Sequence, residues 1–460
     1  MPFTFKKYKS YYRENLKLAI PVVISQLGHT LVHLADSVIV GHFAGTVSLA
    51  AVSLVNSVFV VAMVSGLGLA YGLTPLIAQY NGQKNFTECG KLLSNSLFIN
   101  AVSGLLLFAI IYFGAGKLLD HLGQSPAVLS QAKPFLLLIS ASIVPLMLFS
   151  TFKQFAEGLG FTRQAMNITI WGNALNICLG IIFVKGLFGI KPMGISGVGY
   201  STLIDRTLMA TVMGFYVFKS ARFKPYLRDF SMGYVKLQRC KEIFKLGAPI
   251  AMQYTFEVSA FSAAAILMGQ LGAVQQAAHQ VALNLASLTY MMASGISAAA
   301  AIKSGNYFGA KSFGELRASA MASYHIVLLF MTFTALIFVV FNRTLPWIIT
   351  SDPAVVEVAA RLLILAAIFQ VFDGAQVIGL GILRGMGDVN VPTLITFLAY
   401  WIVGLPLGYW LGLKIGLGPT GVWYGLVAGL GVASVLLYLR FIATNKKHIE
   451  DYIFDDALKI

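Results

Sequence analysis

Four acidic side chains, Asp36, Asp205, Glu257 and Asp373, fall well inside long apolar runs of this chain. A charged group at the centre of a bilayer helix costs about 2.5–3.5 kcal/mol on insertion scales, so such a residue faces a cavity or a partner and is a functional candidate by default. Carboxylate oxygens suit protons, hard cations such as Na+ and organic cations alike. Glu257 and Asp373 are the sharpest pair, because neither has a basic residue within one turn of its own helix. They form a candidate Na+ or H+ site, to which Tyr290 in a neighbouring run adds a hydroxyl or a ring face. His29, His33 and Asp36 recur at i, i+4 and i+7, which puts them on one helix face. That face reads as a polar cavity lining or proton relay rather than a metal centre. Asp205 precedes Arg206; successive helical residues point about 100° apart, so a direct pair is not assured by the sequence, and an offset by way of another helix stays open. Asp36, His29, His33 and Asp205 are the first-half candidates for contact with substrate or protons, and Asp205 carries a structural reading beside that one.

These residues need helices that cross a membrane. Hydrophobic residues make up 57% of the 460 and charged residues only 11%, a balance foreign to soluble domains. A crossing helix needs ~20 mostly apolar residues. Twelve spans are expected, at 16–40, 49–74, 92–114, 132–155, 163–187, 193–218, 244–270, 277–302, 317–341, 355–381, 392–413 and 418–441. The runs are too long, and alternate too little, for β-barrel strands. The fold class is an all-α polytopic membrane protein.

The chain also repeats itself. Pro21, Gly41 and Ala50-Ala51 return as Pro249, Gly269 and Ala277-Ala278, an offset of 227 or 228 residues. Tyr80-Asn81-Gly82-Gln83-Lys84 returns as Tyr307-Phe308-Gly309-Ala310-Lys311, and Gly158-Leu159-Gly160 as Gly385-Met386-Gly387. Six spans per half start both halves on one side of the membrane. The repeats are therefore parallel lobes, related by a pseudo-twofold axis along the membrane normal. The domains expected are a cytoplasmic N-terminus (1–15), a first six-helix lobe (16–218), a cytoplasmic linker (219–243), a second lobe (244–441) and a polar, mobile cytoplasmic tail (442–460). The basic linker reads as a solvated loop, or as an amphipathic helix on the membrane surface. Pro21 and Pro249 read as features of helix starts.

A net charge of +15 raises the question of nucleic acid, and the placement of the charge answers it. With both termini inside, only Lys117, Lys133, Lys185, Lys191, Arg343, Arg361 and Lys414 fall at outer ends, and Arg206 alone lies within a span. This is the positive-inside bias, facing anionic membrane lipid rather than nucleic acid. Three cysteines without CxxC spacing give neither a disulfide framework nor a zinc site. There is no phosphate-binding loop, HExxH or nucleophile elbow, so neither an enzyme nor a cofactor beyond a coupling ion is expected.

Three stretches carry a resemblance: Leu246-Gly247-Ala248-Pro249 leading to Phe256-Glu257-Val258; Leu383-Arg384-Gly385-Met386-Gly387-Asp388; and Tyr400-Trp401 with Gly404-Leu405-Pro406-Leu407-Gly408-Tyr409. In this order they make the chain, over about residues 10 to 442, resemble the multidrug and toxic compound extrusion (MATE) family, in its NorM-like bacterial branch. The resemblance implies a twelve-helix, two-lobe exporter in the bacterial cytoplasmic (inner) membrane; two pseudo-symmetric lobes can make a monomer complete. Such a protein expels cationic and amphipathic organic compounds in exchange for Na+ or H+. The coupling-cation site of that branch matches Glu257, Tyr290 and Asp373, and its first-lobe acid matches Asp36. Phe369 stands where many relatives carry Tyr, which removes one hydroxyl from the ligand count. Asp205-Arg206 has no counterpart in the pattern.

Two rival classes remain. A flippase for a lipid-linked precursor needs cavity Arg or Lys for an anionic head group, and only Arg206 lies inside a span. A non-transport membrane scaffold or embedded enzyme needs a paired catalytic constellation near one interface, and none is visible.

Overall fold

The computed structural model describes residues 5–117 and 125–457. The long helices, in chain order, are α1 (Phe5–Phe43), α2 (Val47–Gly82), α3 (Phe86–Gly114), α4 (Pro126–Gly158), α5 (Thr162–Lys185), α6 (Ile195–Lys219), α7 (Leu237–Leu271), α8 (Ala273–Gly309), α9 (Phe313–Val340), α10 (Pro353–Gly385), α11 (Asn390–Lys414) and α12 (Pro419–Ala457). Each expected span lies on one of them. Eleven are long and apolar enough to cross a membrane. The other, α6, has the length, but Asp205 and Arg206 hold its hydropathy below theirs.

Local chemistry sets the helix ends. Asp352 accepts a hydrogen bond from Ala354 N at 2.9 Å with Pro353 opening α10, and Ser125 caps α4 ahead of Pro126. Gly186 ends α5 in the left-handed region at φ 75°.

The sequence repeat is written into the turns. Lys84 and Lys311, both non-glycine, adopt φ of 57° and 55° at equivalent places. The same backbone bond closes each turn: Asn85 N to Tyr80 O and Ser312 N to Tyr307 O, both 2.9 Å. Gly160 and Gly387 match in the same way, at φ 85° and 81°.

By contacts the chain divides into two compact units, Ile24–Ala251, and Met1–Val23 with Met252–Ile460. The division points fall inside α1 and α7, three residues after Pro21 and Pro249. Those prolines lie inside long helices, not at helix starts. α1 begins earlier than its apolar run, and polar partners hold its early turns. Asn15 donates to Ser319 O at 3.0 Å and Ser323 Oγ at 2.9 Å, and Tyr11 donates to Glu315 at 2.5 Å.

The unit Ile24–Ala251 has one core around Phe135, Ile139 and Val198 and another around Phe149, Phe155 and Phe223. Phe223 comes from the linker, which is neither an open loop nor one long surface helix. It forms short turns at Ala221–Phe223, Lys224–Leu227 and Met232–Tyr234. Phe223 is fully buried and meets Phe161 and Tyr216 edge-on, while Asn95 Nδ2 donates to Tyr234 O at 3.0 Å. Burial of one aromatic side chain fixes what the basic composition alone suggested would be solvated.

The unit Met1–Val23 with Met252–Ile460 has cores around Trp423 and Phe441. In place of a mobile tail, α12 runs on to Ala457, with His448 stacked on Phe313 at 5.6 Å and Tyr452 edge-on to the same ring. Gly404, Gly408 and Gly412 of α11 lie against Gly421, Gly425 and Gly429 of α12, so the two backbones approach closely. α11 widens to π-helix over Leu398–Gly404 and Trp410–Lys414. The first of these π stretches carries Tyr400.

Candidate functional site

The second unit gathers polar side chains from four helices into an apolar interior. α10 supplies Gln370, Asp373 and Gln376 at steps of three, all buried, with Asp373 only 4% exposed. α7 supplies Glu257, 8% exposed, α8 supplies Tyr290, and α11 supplies Tyr400. Tyr290 lies within electrostatic reach of Glu257, Asp373 and Tyr400, and Glu257 within reach of Asp373. The three residues expected to meet are thus brought together.

The hydrogen bonds around them are incomplete. Tyr400 donates its hydroxyl to Gln376 Oε1 at 3.1 Å, and Thr334 donates to Gln370 Oε1 at 3.2 Å. One carboxylate oxygen of Asp373 and the amide nitrogens of both glutamines are buried with no partner. Leaving a buried polar group unpaired costs about 1–3 kcal/mol, and more for a charged one. Two neighbouring carboxylates with an unfilled oxygen suit a bound cation or a proton. Phe369 adds no oxygen; it packs against Phe261 at 5.9 Å and Trp423 at 5.4 Å.

Arg384, at the end of α10, bears on the same place. It donates to Gln253 Oε1 at 2.8 and 3.1 Å and to Tyr254 Oη at 3.1 Å, and lies over the Tyr254 ring at 4.9 Å. Gln253 in turn donates to Thr393 Oγ1 at 2.9 Å. The Arg384 charge acts on Glu257, which is one helical turn beyond Gln253 and Tyr254. Glu257 therefore has no basic neighbour on its own helix but does have one from α10.

In the first unit, Asp36 of α1 and Asp205 of α6 both lie within electrostatic reach of Arg206. Arg206 is 9% exposed, donates to Ser142 Oγ at 2.7 Å and lies over Phe59 at 5.3 Å. Asn176 of α5 donates to Thr202 Oγ1 at 3.4 Å. Asn173, beside it on α5, packs against Gly28, where a Cβ would stand 2.6 Å from the amide nitrogen. His29 is half-buried on α1, and the side chain of His33 lies outside the described residues. Among the described residues, no three His, Cys, Asp or Glu side chains cluster as a metal centre.

Sequence reasoning missed several members of these clusters. Gln370 and Gln376 flank Asp373 at three residues on either side, a helical spacing that was open to inspection. Arg384 and Tyr400 lay inside the resembling stretches without a role. Glu157 is a further buried acid, 3% exposed, just beyond the expected end of its span; Lys153 approaches it at 3.9 Å. His279, fully buried, accepts a hydrogen bond from Trp423 Nε1 at 3.1 Å.

The MatE family model matches the chain twice, at residues 21–182 and 249–410, with the spacing of the internal repeat. The multidrug resistance protein MdtK of Yersinia pseudotuberculosis serotype O:1b is 33% identical over 439 residues, 95% of this chain and 96% of its own. The multidrug resistance protein NorM of Photobacterium profundum is 33% identical over 438 residues, 94% and 95% of the two chains. Among solved structures, the eukaryotic MATE transporter AtDTX14 superposes with a TM-score of 0.86 at 20% identity, covering 97% of this chain and 99% of that one. A MATE family multidrug resistance transporter in an outward-facing conformation gives 0.85 at 20% identity, with coverage of 98% and 100%. The duplicated match and the end-to-end likeness agree with the duplicated turns and the two helical units: the chain belongs to the MatE family.

Proposed function

We propose that this protein is a secondary active multidrug exporter that exchanges cationic or amphipathic organic compounds for Na+ or H+ by alternating access. The observation that carries the reading is the buried pair Glu257 and Asp373 with an unpartnered carboxylate oxygen, beside Tyr290 and Tyr400. The names of the 33%-identical relatives support drug extrusion as the task. The protein acts as a monomer in the bacterial inner membrane with both termini cytoplasmic, carrying cargo rather than catalysing a reaction.

The mechanism follows from charge. With the site open to the outside, Glu257 and Asp373 take up Na+ or a proton, and Tyr290 lends its ring or hydroxyl. Neutralised, the pair holds a cationic substrate less well and favours the other packing of the helices. With the site open inward, the cation leaves and substrate enters. Each positive charge moving inward gains about 2.3 kcal/mol per 100 mV of membrane potential and each one moving outward costs the same, so the ion gradient drives one-for-one exchange of monovalent cations and the potential adds to it only for net inward charge. That energy drives extrusion only because the same carboxylates take part in both events. In the first half, Asp36, His29, His33 and Asp205 contribute the polar lining that substrate or protons meet.

The test is dye and drug efflux in a pump-deficient host, with wild type beside Asp373→Asn, in Na+ medium and in K+ medium at fixed pH. Loss with the mutation and with Na+ removal identifies Na+ exchange. Loss with the mutation alone identifies H+ exchange. Undiminished efflux by Asp373→Asn refutes coupling through this site.

A further inference from the structure

We propose that Arg206 is the resident counter-ion of the first unit: it supplies to Asp36 and Asp205 the positive charge that an exchangeable cation would otherwise bring, and so confines cation exchange to Glu257 and Asp373. The proposal rests on the exchange reading above and adds a residue to it.

Arg206 is the one Lys or Arg near the middle of an expected span; the others that fall within span bounds lie towards an end. A guanidinium stays charged in a protein and presents five N–H donors in a rigid fork. Here it is almost wholly buried, and its one hydrogen bond among the described residues goes to a neutral hydroxyl, Ser142 Oγ at 2.7 Å. Phe59 offers the guanidinium a ring face on another side, 5.3 Å away. The fork is held by neutral groups, and its charge is left to act at a distance.

Two carboxylates receive that charge, Asp205 from the adjacent position on α6 and Asp36 from α1. Among the described residues neither closes a direct ion pair with Arg206, and each keeps a buried oxygen without a partner. The unpartnered oxygen of Asp205 lies in a recess made by Gly172 of α5, where a Cβ would stand 2.6 Å from it. Asn173 and Asn176 of α5 and Thr202 of α6 add dipoles but no charge. The cluster thus holds one fixed positive and two negative charges, with carboxylate oxygens in reach of the guanidinium but not spent on it. A cation entering here meets a carboxylate pair already half-compensated and a like charge beside it.

The second unit is built the other way. Asp373 has Glu257 as its charged neighbour, with no positive one. Arg384 acts on Glu257 only, and its fork is committed to Gln253 and Tyr254 at 2.8–3.1 Å. Two carboxylates without a resident cation between them are the stronger attractor for a mobile one.

The test counts bound cations on the purified full-length chain in lipid nanodiscs. Tracer Na+ is measured at equilibrium, and proton uptake is measured after a pH jump in Na+-free medium. In the wild type, one exchangeable cation is expected, lost in Asp373→Asn and kept in Asp36→Asn. Arg206→Gln should gain a second, which Asp373→Asn leaves in place and Asp36→Asn removes, while Arg206→Lys should keep the wild-type count. A count in Arg206→Gln equal to wild type overturns the proposal, as does a wild-type cation that Asp36→Asn removes. If wild type binds neither ion while Arg206→Gln binds one, the counter-ion role stands and the exchange reading fails; if neither chain binds either ion, both fail. Should Arg206→Gln not fold, Asp36→Asn in the native background decides by the same count.

Discussion

Gly425→Ala and Gly431→Ala are the same chemical change six residues apart on α12, and they should move stability in opposite directions. Replacing Gly by Ala inside a helix gains about 0.8–1.0 kcal/mol at either place. At Gly431 the new Cβ meets nothing closer than Phe372 Cζ, at 4.0 Å, so most of that gain survives. At Gly425 it would collide with Gly408 N, Gly408 Cα and Gly404 O. Those are backbone atoms, with no rotamer to turn away, so the overpacking penalty of about 1–3 kcal/mol applies at its upper end. The net loss at Gly425 is then about 2 kcal/mol. For a unit of this size, about 2–4 °C per kcal/mol puts Gly425→Ala some 4–8 °C below wild type and Gly431→Ala about 2–4 °C above it. Thermal unfolding in one detergent, followed by intrinsic fluorescence, measures both. The effect should reach function as well, because pushing α11 off α12 displaces the π-helical stretch Leu398–Gly404 and with it the Tyr400 hydroxyl on Gln376. Dye efflux should therefore fall in Gly425→Ala and hold in Gly431→Ala. A Gly425→Ala protein that melts at or above wild type, or two variants that shift together, would refute the close-packing account.

Tyr400→Phe strips Gln376 of its one described partner at a fully buried position, which should cost about 1–3 kcal/mol. The double variant Tyr400→Phe/Gln376→Leu should recover part of that loss in the melting temperature. Phe223→Ala should destabilise the first unit by about 3–5 kcal/mol despite lying in a basic linker, and hydrogen exchange in Ala221–Phe223 and around Asn95 should rise with it. Lys84→Gly and Lys311→Gly should each stabilise by up to about 1 kcal/mol, since both residues pay for a left-handed backbone that glycine adopts freely; equal melting temperatures for the two glycine variants and wild type would count against that strain.

The sequence made the helices legible because a bilayer imposes a length and a composition that few other environments demand. It made the repeat legible because turns are fixed by local residues: Lys84 with Tyr80, and Lys311 with Tyr307, give the same hydrogen-bonded turn from the same spacing. What it hid depends on partners distant in the chain. Asp352 could be read as a cap, but nothing near Phe223 announces that a residue among so many cations is a core plug. The tail after Arg440 looked polar and mobile, yet its helix is held through contacts with Phe308 and Phe313, some 140 residues away in sequence. Arg384 was invisible as a neighbour of Glu257 for the same reason: helix periodicity reports faces, and which faces meet is decided by packing.

The duplicated scaffold and the unduplicated chemistry have separate origins in the chain. Turn residues recur at the 227- or 228-residue offset, so both halves fold by the same local rules. The buried and intramembrane acids do not recur: at the same offset Glu257 matches His29, Asp36 matches Ala264, Asp373 matches Leu146, and Glu157 matches Arg384. A symmetric pair of binding sites would need these side chains to repeat along with the turns. Their divergence leaves one unit with two carboxylates that share an internal guanidinium, and the other with Asp373 facing only a second carboxylate while Arg384 acts on Glu257 alone. Helices with similar backbones thus present a carboxylate pair that shares one guanidinium in one half, and a carboxylate with no basic neighbour, Asp373, in the other. Under an exchange mechanism, that difference is what gives a mobile cation a preferred half to enter.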